Sequence, residues 1–102
     1  MHPVVETNRE ALTDICRRFR VARLEVFGSA ADGDFDEATS DLDFLVEFGG
    51  VPDRERFDAY FGLLHALEDF FARKIDLVEL GASRNPYFLQ RLNESRKLVY
   101  AA

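Results

Sequence analysis

The chain has 102 residues, with an apolar fraction of 47%, ten Phe and a single Cys. That is enough for one small domain with its own core, and it excludes an internal disulfide framework or a Cys-based zinc site. The net charge of −6 opposes stable binding to a nucleic-acid backbone; it suits a basic protein partner, or simple solubility.

The chain starts Met-His-Pro-Val-Val-Glu, unlike a secretory leader. No apolar run approaches the roughly 18 residues of a membrane span. With one thiol, a reducing cytoplasm is the expected setting. Thr7-Asn8-Arg9-Glu10 reads as a capping box, and Ala11, Leu12, Ile15, Cys16 and Phe19 recur at helical spacing. A helix is expected over residues 8–19. Cys16 lies on its apolar stripe and reads as a small buried hydrophobe rather than a nucleophile.

A first strand is expected over residues 23–27, stopping at Gly28-Ser29, with a short helix or turn from Ala30. Residues 32–40 are polar and acidic and read as a loop. A second strand covers residues 41–48; its run Phe44-Leu45-Val46 predicts burial on both faces. The longest helix is expected over residues 53–73, with Phe57, Tyr60, Phe61, Leu64, Leu67, Phe70 and Phe71 as a core-facing stripe. His65 falls off the stripe's centre and reads as a surface or half-buried residue. A third strand covers residues 74–80 and carries Asp76, with Glu79 on the opposite parity. Ser83-Arg84-Asn85-Pro86 opens a short helix over residues 87–94, with Phe88, Leu89 and Leu92 inward. Residues 97–100 suit a final strand. There is no internal repeat or linker, so one domain over residues 1–102 is expected.

The chemistry concentrates in Gly28-Ser29 and in Asp41-Leu42-Asp43. Aspartate is depleted in strands. Residues i and i+2 share a strand face, so Asp41 and Asp43 would stand side by side and repel unless a cation lies between them. Mg²⁺ suits such a place, because it takes oxygen ligands from one or two carboxylates and from substrate phosphates. A Gly-Ser turn lets the backbone approach a phosphate. Together these describe a nucleoside-triphosphate site. If the turn, the acid pair and Asp76 share it, strands one and two are antiparallel and strands two and three parallel, with the long helix as a right-handed crossover. Each acid also has an ordinary reading: Asp41 as a turn residue, Asp43 on an edge strand, Asp76 as a partner of Arg73 or Lys74.

Gly28-Ser29, then residues 30–40, then Asp41-Leu42-Asp43 and the later Asp76 resemble the signature of the DNA polymerase beta-like nucleotidyltransferase superfamily. The short chain points to its minimal nucleotidyltransferase branch, which includes MntA-like antitoxins paired with HEPN-domain ribonuclease toxins. The resemblance implies an α/β (α+β) nucleotidyltransferase fold, a mixed three- to four-stranded sheet flanked by helices in the order α-β-α-β-α-β-α. It also implies Asp41, Asp43 and Asp76 as catalytic and metal-binding residues for two Mg²⁺ ions, with Gly28 and Ser29 on the nucleotide. ATP would be the substrate, and a tyrosine of the toxin the acceptor. The family usually reads Gly-Ser-x-Ala-Arg-Gly, and here Asp32 stands where that Arg belongs. Arg84, near a helix start, is a candidate replacement. Glu47, Glu79, Asp34, Asp36 and Glu37 read as solvated. Two alternatives stay open: an antitoxin that neutralises by contact alone, and transfer to a small molecule. Oligomeric state also stays open.

Overall fold

The computed structural model describes residues 1–102. Its elements are α1 (Pro3–Glu6), α2 (Arg9–Arg18), β1 (Val21–Phe27), α3 (Ser29–Asp32), β2 (Leu42–Phe48), α4 (Asp53–Phe71), β3 (Ile75–Glu79), α5 (Pro86–Ser95) and β4 (Lys97–Ala101). The expected order holds, with α1 added in front and β4 formed where residues 97–100 suit a final strand.

α1 displaces the expected capping box. His2 Nδ1 accepts the Val4 N–H at 3.0 Å and Pro3 follows, so a short helix already starts there. Thr7 is then used as its C-cap, and its hydroxyl donates to the Pro3 carbonyl at 2.6 Å. The cap residue of α2 is Asn8, without a side-chain cap bond, because its amide donates to the Val4 carbonyl at 2.7 Å.

The four strands form one mixed sheet in the order β3-β2-β1-β4. β1 runs antiparallel to β2 and to β4, and β2 runs parallel to β3. Alternation along the strands assigns the faces. Leu24, Val26, Leu42, Phe44, Val46, Ile75 and Leu77 join Leu12, Ile15 and Cys16 of α2 and Leu63 and Leu67 of α4 in the main core. On the opposite face, Phe27 and Leu45 pack with Leu92 of α5, flanked by Val78, Phe88 and Leu89. The sheet is thus covered on both sides, as the apolar run in β2 predicts.

The stripe expected to be core reaches it only in part, through Leu67 and the flanking Tyr60, Leu64 and Phe71. The buried line of α4 is Ala59, Leu63 and Leu67, while Phe57 is 70% exposed and Phe61 and Phe70 are 37% and 42% exposed. Tyr60, Leu64 and Phe71 pack half-buried at its margin. The helix faces the core with its small and aliphatic residues because α2 approaches closely. A Cβ on Gly62 would lie 2.5 Å from the Phe19 ring. Cys16 is fully buried, and desolvation pushes its thiol up to about 12. His65 is exposed. No helix is long and apolar enough to cross a membrane.

Candidate active site

The register of three strands positions the site. Phe27, the last residue of β1, pairs with Asp43 of β2, and Asp43 pairs with Asp76 of β3. β1 must therefore turn away directly above Asp43. Gly28 makes that turn with φ +70°, and a Cβ there would lie 2.5 Å from Asp43 Oδ2. Only glycine combines this positive φ with so close an approach. The Gly28 carbonyl accepts the N–H groups of Ala31 and Asp32 at 3.1 Å each, which folds Ser29–Asp32 into α3.

α5 closes the other side. Asn85 caps it by accepting the Tyr87 and Phe88 N–H groups, and Pro86 occupies its first turn. At its far end the buried Ser95 hydroxyl accepts the Gly28 N–H at 3.0 Å and donates to the Arg91 carbonyl at 3.2 Å. Arg96 follows, and its guanidinium binds Glu25, which is 3% exposed in the middle of β1 and also holds Arg23 at 2.7 Å. Burial alone would raise the Glu25 carboxyl; hydrogen bonds from Arg96 and Arg23 outweigh it and hold the carboxyl below the usual range.

Between the turn, the strand ends and α5 lies a cleft of about 500 Å³. Gly28 and Ser29 form one wall and Asp43 and Asp76 the floor. Phe27, Phe88 and Leu92 supply apolar surface, and Asp32, Asp34, Arg91, Glu94 and Ser95 complete the rim. Desolvation, then the charge of Asp76, then that of Asp41, push the Asp43 carboxyl up to about 6, while Arg91 pulls it down. Two oxygen donors pressed together on a strand floor, beside a turn open to an incoming anion, fit a hard divalent cation.

Of the residues singled out in the sequence, Gly28, Ser29, Asp43 and Asp76 meet in this cleft. Asp41 does not line it. It lies exposed just before β2, on the strand face of Asp43, with its carboxylate 3.8 Å from Lys74 Nζ. No three acids, histidines or cysteines close on a common point. Arg84 lies outside the cleft, so it does not stand in for the missing Arg. Asp34, read as loop solvation, is exposed but on the rim. Glu79, read as solvated, pairs with Arg56 at 2.7 Å. Arg73 stacks on Phe35 at 4.8 Å rather than pairing with Asp76. Arg91 and Ser95 escaped the sequence reading. Their signal was the spacing of four residues, which puts them one turn apart on the helix that carries Phe88 and Leu92.

The chain matches the nucleotidyltransferase domain family over residues 9–99. It is 39% identical over 83 residues to a candidate protein adenylyltransferase of Methanocaldococcus jannaschii, covering 81% of this chain and 79% of that protein. A second such protein of the same organism is 35% identical over 75 residues, covering 74% and 83%. Among solved structures, a minimal nucleotidyltransferase superimposes with a TM-score of 0.72 at 29% identity over 95% of each chain. A toxin–antitoxin complex with AMP-PNP gives a TM-score of 0.68 at 20% identity, covering 93% of this chain and 74% of that one. A tri-AMPylated Shewanella oneidensis HEPN toxin in complex with an MNT antitoxin gives 0.64 at 18%, covering 95% and 72%. The last two speak for the fold alone. With the family pattern running through both walls of the cleft and across almost the entire sequence, this chain belongs to the nucleotidyltransferase domain family.

Proposed function

We propose that this nucleotidyltransferase moves AMP from ATP to a protein hydroxyl, with Mg²⁺ as the metal. The observation that carries the reading is the opposed pair Asp43 and Asp76 directly beneath the Gly28-Ser29 turn. In this reading the turn takes the triphosphate through Ser29 and the backbone. Asp43 and Asp76 hold the cation, joined by Asp41 from the same strand face. Bound there, Mg²⁺ supplies neutralisation of charge on the phosphates and on the leaving pyrophosphate. Asp76, exposed at the cleft, takes the proton of the attacking hydroxyl. The hydroxyl oxygen bonds to the α-phosphorus, the bond to the β-phosphate oxygen breaks, and pyrophosphate leaves.

The choice of acceptor draws on the named activity of the two archaeal relatives and on the toxin–antitoxin assemblies that share the fold. The acceptor in this proposal is a tyrosine of a HEPN-domain toxin partner, and the chain acts as its antitoxin. A second reading, neutralisation by contact alone, draws on the acid-rich rim, where Asp32 adds a negative charge beside the turn. Incubation with α-labelled ATP, Mg²⁺ and the toxin encoded beside this chain separates them. Label should pass to the toxin with the wild-type chain and fail with Asp43→Asn or Asp76→Asn. Neutralisation that survives both substitutions, without label transfer, would favour the contact reading.

A further inference from the structure

Five acids line the cleft (Asp32, Asp34, Asp43, Asp76 and Glu94), and Arg91 is the single basic residue among them. A nucleoside triphosphate brings more negative charge into that ring. Coulomb repulsion at such short range is several-fold stronger at a protein surface than in bulk water. The floor carboxylates are occupied by the cation in the proposed reading, so a further positive group is needed for phosphate oxygens away from it.

Three cationic residues, Arg91, Arg96 and Lys97, follow one another from α5 into β4, and two are committed elsewhere. Arg96 binds Glu25 and Asn93. Lys97 donates to the Ala31 carbonyl at 2.8 Å. The Arg91 guanidinium makes no hydrogen bond or ion pair within the chain; the side-chain bond at this residue is accepted by its backbone carbonyl, from Ser95. Its field nevertheless reaches the floor of the cleft. Ser95 ties this helix to the Gly28 N–H, and Arg91 stands one turn earlier, about 6 Å along the axis. The Arg91 backbone is therefore held at a fixed offset from the turn, and its planar donor fork is free to reach into the cleft that it lines.

We propose that Arg91 binds the triphosphate of the incoming nucleotide, supplying from α5 the positive charge that Asp32 does not supply beside the turn. This rests on the cleft being the nucleotide site. A guanidinium fork matches two phosphate oxygens at once and reads charge rather than base. Ser95 is the positioning residue that keeps the Arg91 turn of α5 in register with Gly28.

Equilibrium binding of fluorescent mant-ATP and mant-GTP in Mg²⁺, without acceptor protein, tests this. Arg91→Gln should weaken both triphosphates by about ten- to a hundredfold, the range of a lost charge-assisted contact. Arg91→Lys should recover part of the loss. Arg54→Gln, the same charge change on α4, should bind like wild type. Equal affinity of Arg91→Gln and wild type would overturn the assignment while leaving the cleft as the nucleotide site. So would a loss confined to one base, which would make Arg91 a base reader. A wild-type chain that binds neither triphosphate would overturn both.

Discussion

Asp43 and Asp76 stand opposite each other across the parallel β2–β3 pair, and desolvation together with the neighbouring charge lifts the Asp43 carboxyl from 3.8 to about 6. The folded chain therefore binds more protons than the unfolded chain between those values. Protonated Asp43 fits the fold at low pH, and that favourable contribution is lost as pH rises through about 6. Its size is on the order of 2 kcal/mol, discounted for the open side of the cleft. Urea unfolding in EDTA should show wild type losing stability relative to Asp43→Asn from about pH 4 to about pH 7. Mg²⁺ should restore it. A difference flat with pH would mean that the fold does not raise the Asp43 carboxyl.

Gly28→Ala should damage both the fold and the site. The new Cβ meets Asp43 Oδ2 at 2.5 Å and the backbone is held at φ +70°. Strain of about 1–3 kcal/mol follows, along with a displaced floor carboxylate. Gly33→Ala is the comparison, because Gly33 shares the positive φ (+90°) but a Cβ added there would meet nothing within 4 Å. Thermal unfolding should rank wild type above Gly33→Ala above Gly28→Ala, and nucleotide transfer should fall far more in Gly28→Ala.

Glu25 is the buried anchor behind the turn. Glu25→Gln leaves the guanidinium groups of Arg23 and Arg96 without their shared carboxylate. A cost of about 2 kcal/mol is expected, below the usual figure for a buried pair because both arginines are partly solvated. Its sign with pH is opposite to that of Asp43. The Glu25 carboxyl is depressed, so its contribution is present above the ordinary carboxylate range and is lost as pH falls through its lowered value. Wild type and Glu25→Gln should converge in stability at acid pH, as read by denaturant midpoints.

Ser95→Ala removes the acceptor of the Gly28 N–H while leaving the helix backbone intact. A buried unpaired donor costs about 1–3 kcal/mol. Because the turn and Arg91 lose their common reference, KM for the nucleotide should rise more than kcat falls. An unchanged KM would reduce Ser95 to a packing residue.

The sheet was legible in the sequence because its signals were local and reinforcing. Gly28-Ser29 ended one strand, Asp41 and Asp43 marked the head of the next, and a shared site required antiparallel then parallel pairing, as found. The long helix was legible in extent but not in orientation. Seven large apolar residues outvoted Ala59 and Gly62 in the pattern, yet the closeness of Phe19 selects the small side for the interior. The role of α5 was hidden for a different reason. Arg91 and Ser95 gain meaning only when the helix lies across the end of β1, and no local pattern reports that contact.

Asp41 tests how far the strand-face argument extends. Its carboxylate leans toward Lys74 at 3.8 Å, with both groups well exposed. Such a pair is worth between nothing and about 1 kcal/mol, so releasing Asp41 toward the cleft costs little. Alternation along β2 keeps it on the face of Asp43, whose carboxyl already feels its charge. If Asp41 joins the cation when the nucleotide binds, Asp41→Asn should raise the Mg²⁺ concentration needed for half-maximal transfer by about tenfold or more, roughly 1.4 kcal/mol per decade. Lys74→Gln should shift it by less than about threefold and in the opposite direction, since it frees the carboxylate at the small expense of an exposed pair. A Mg²⁺ requirement unaltered in Asp41→Asn would confine the cation to Asp43 and Asp76.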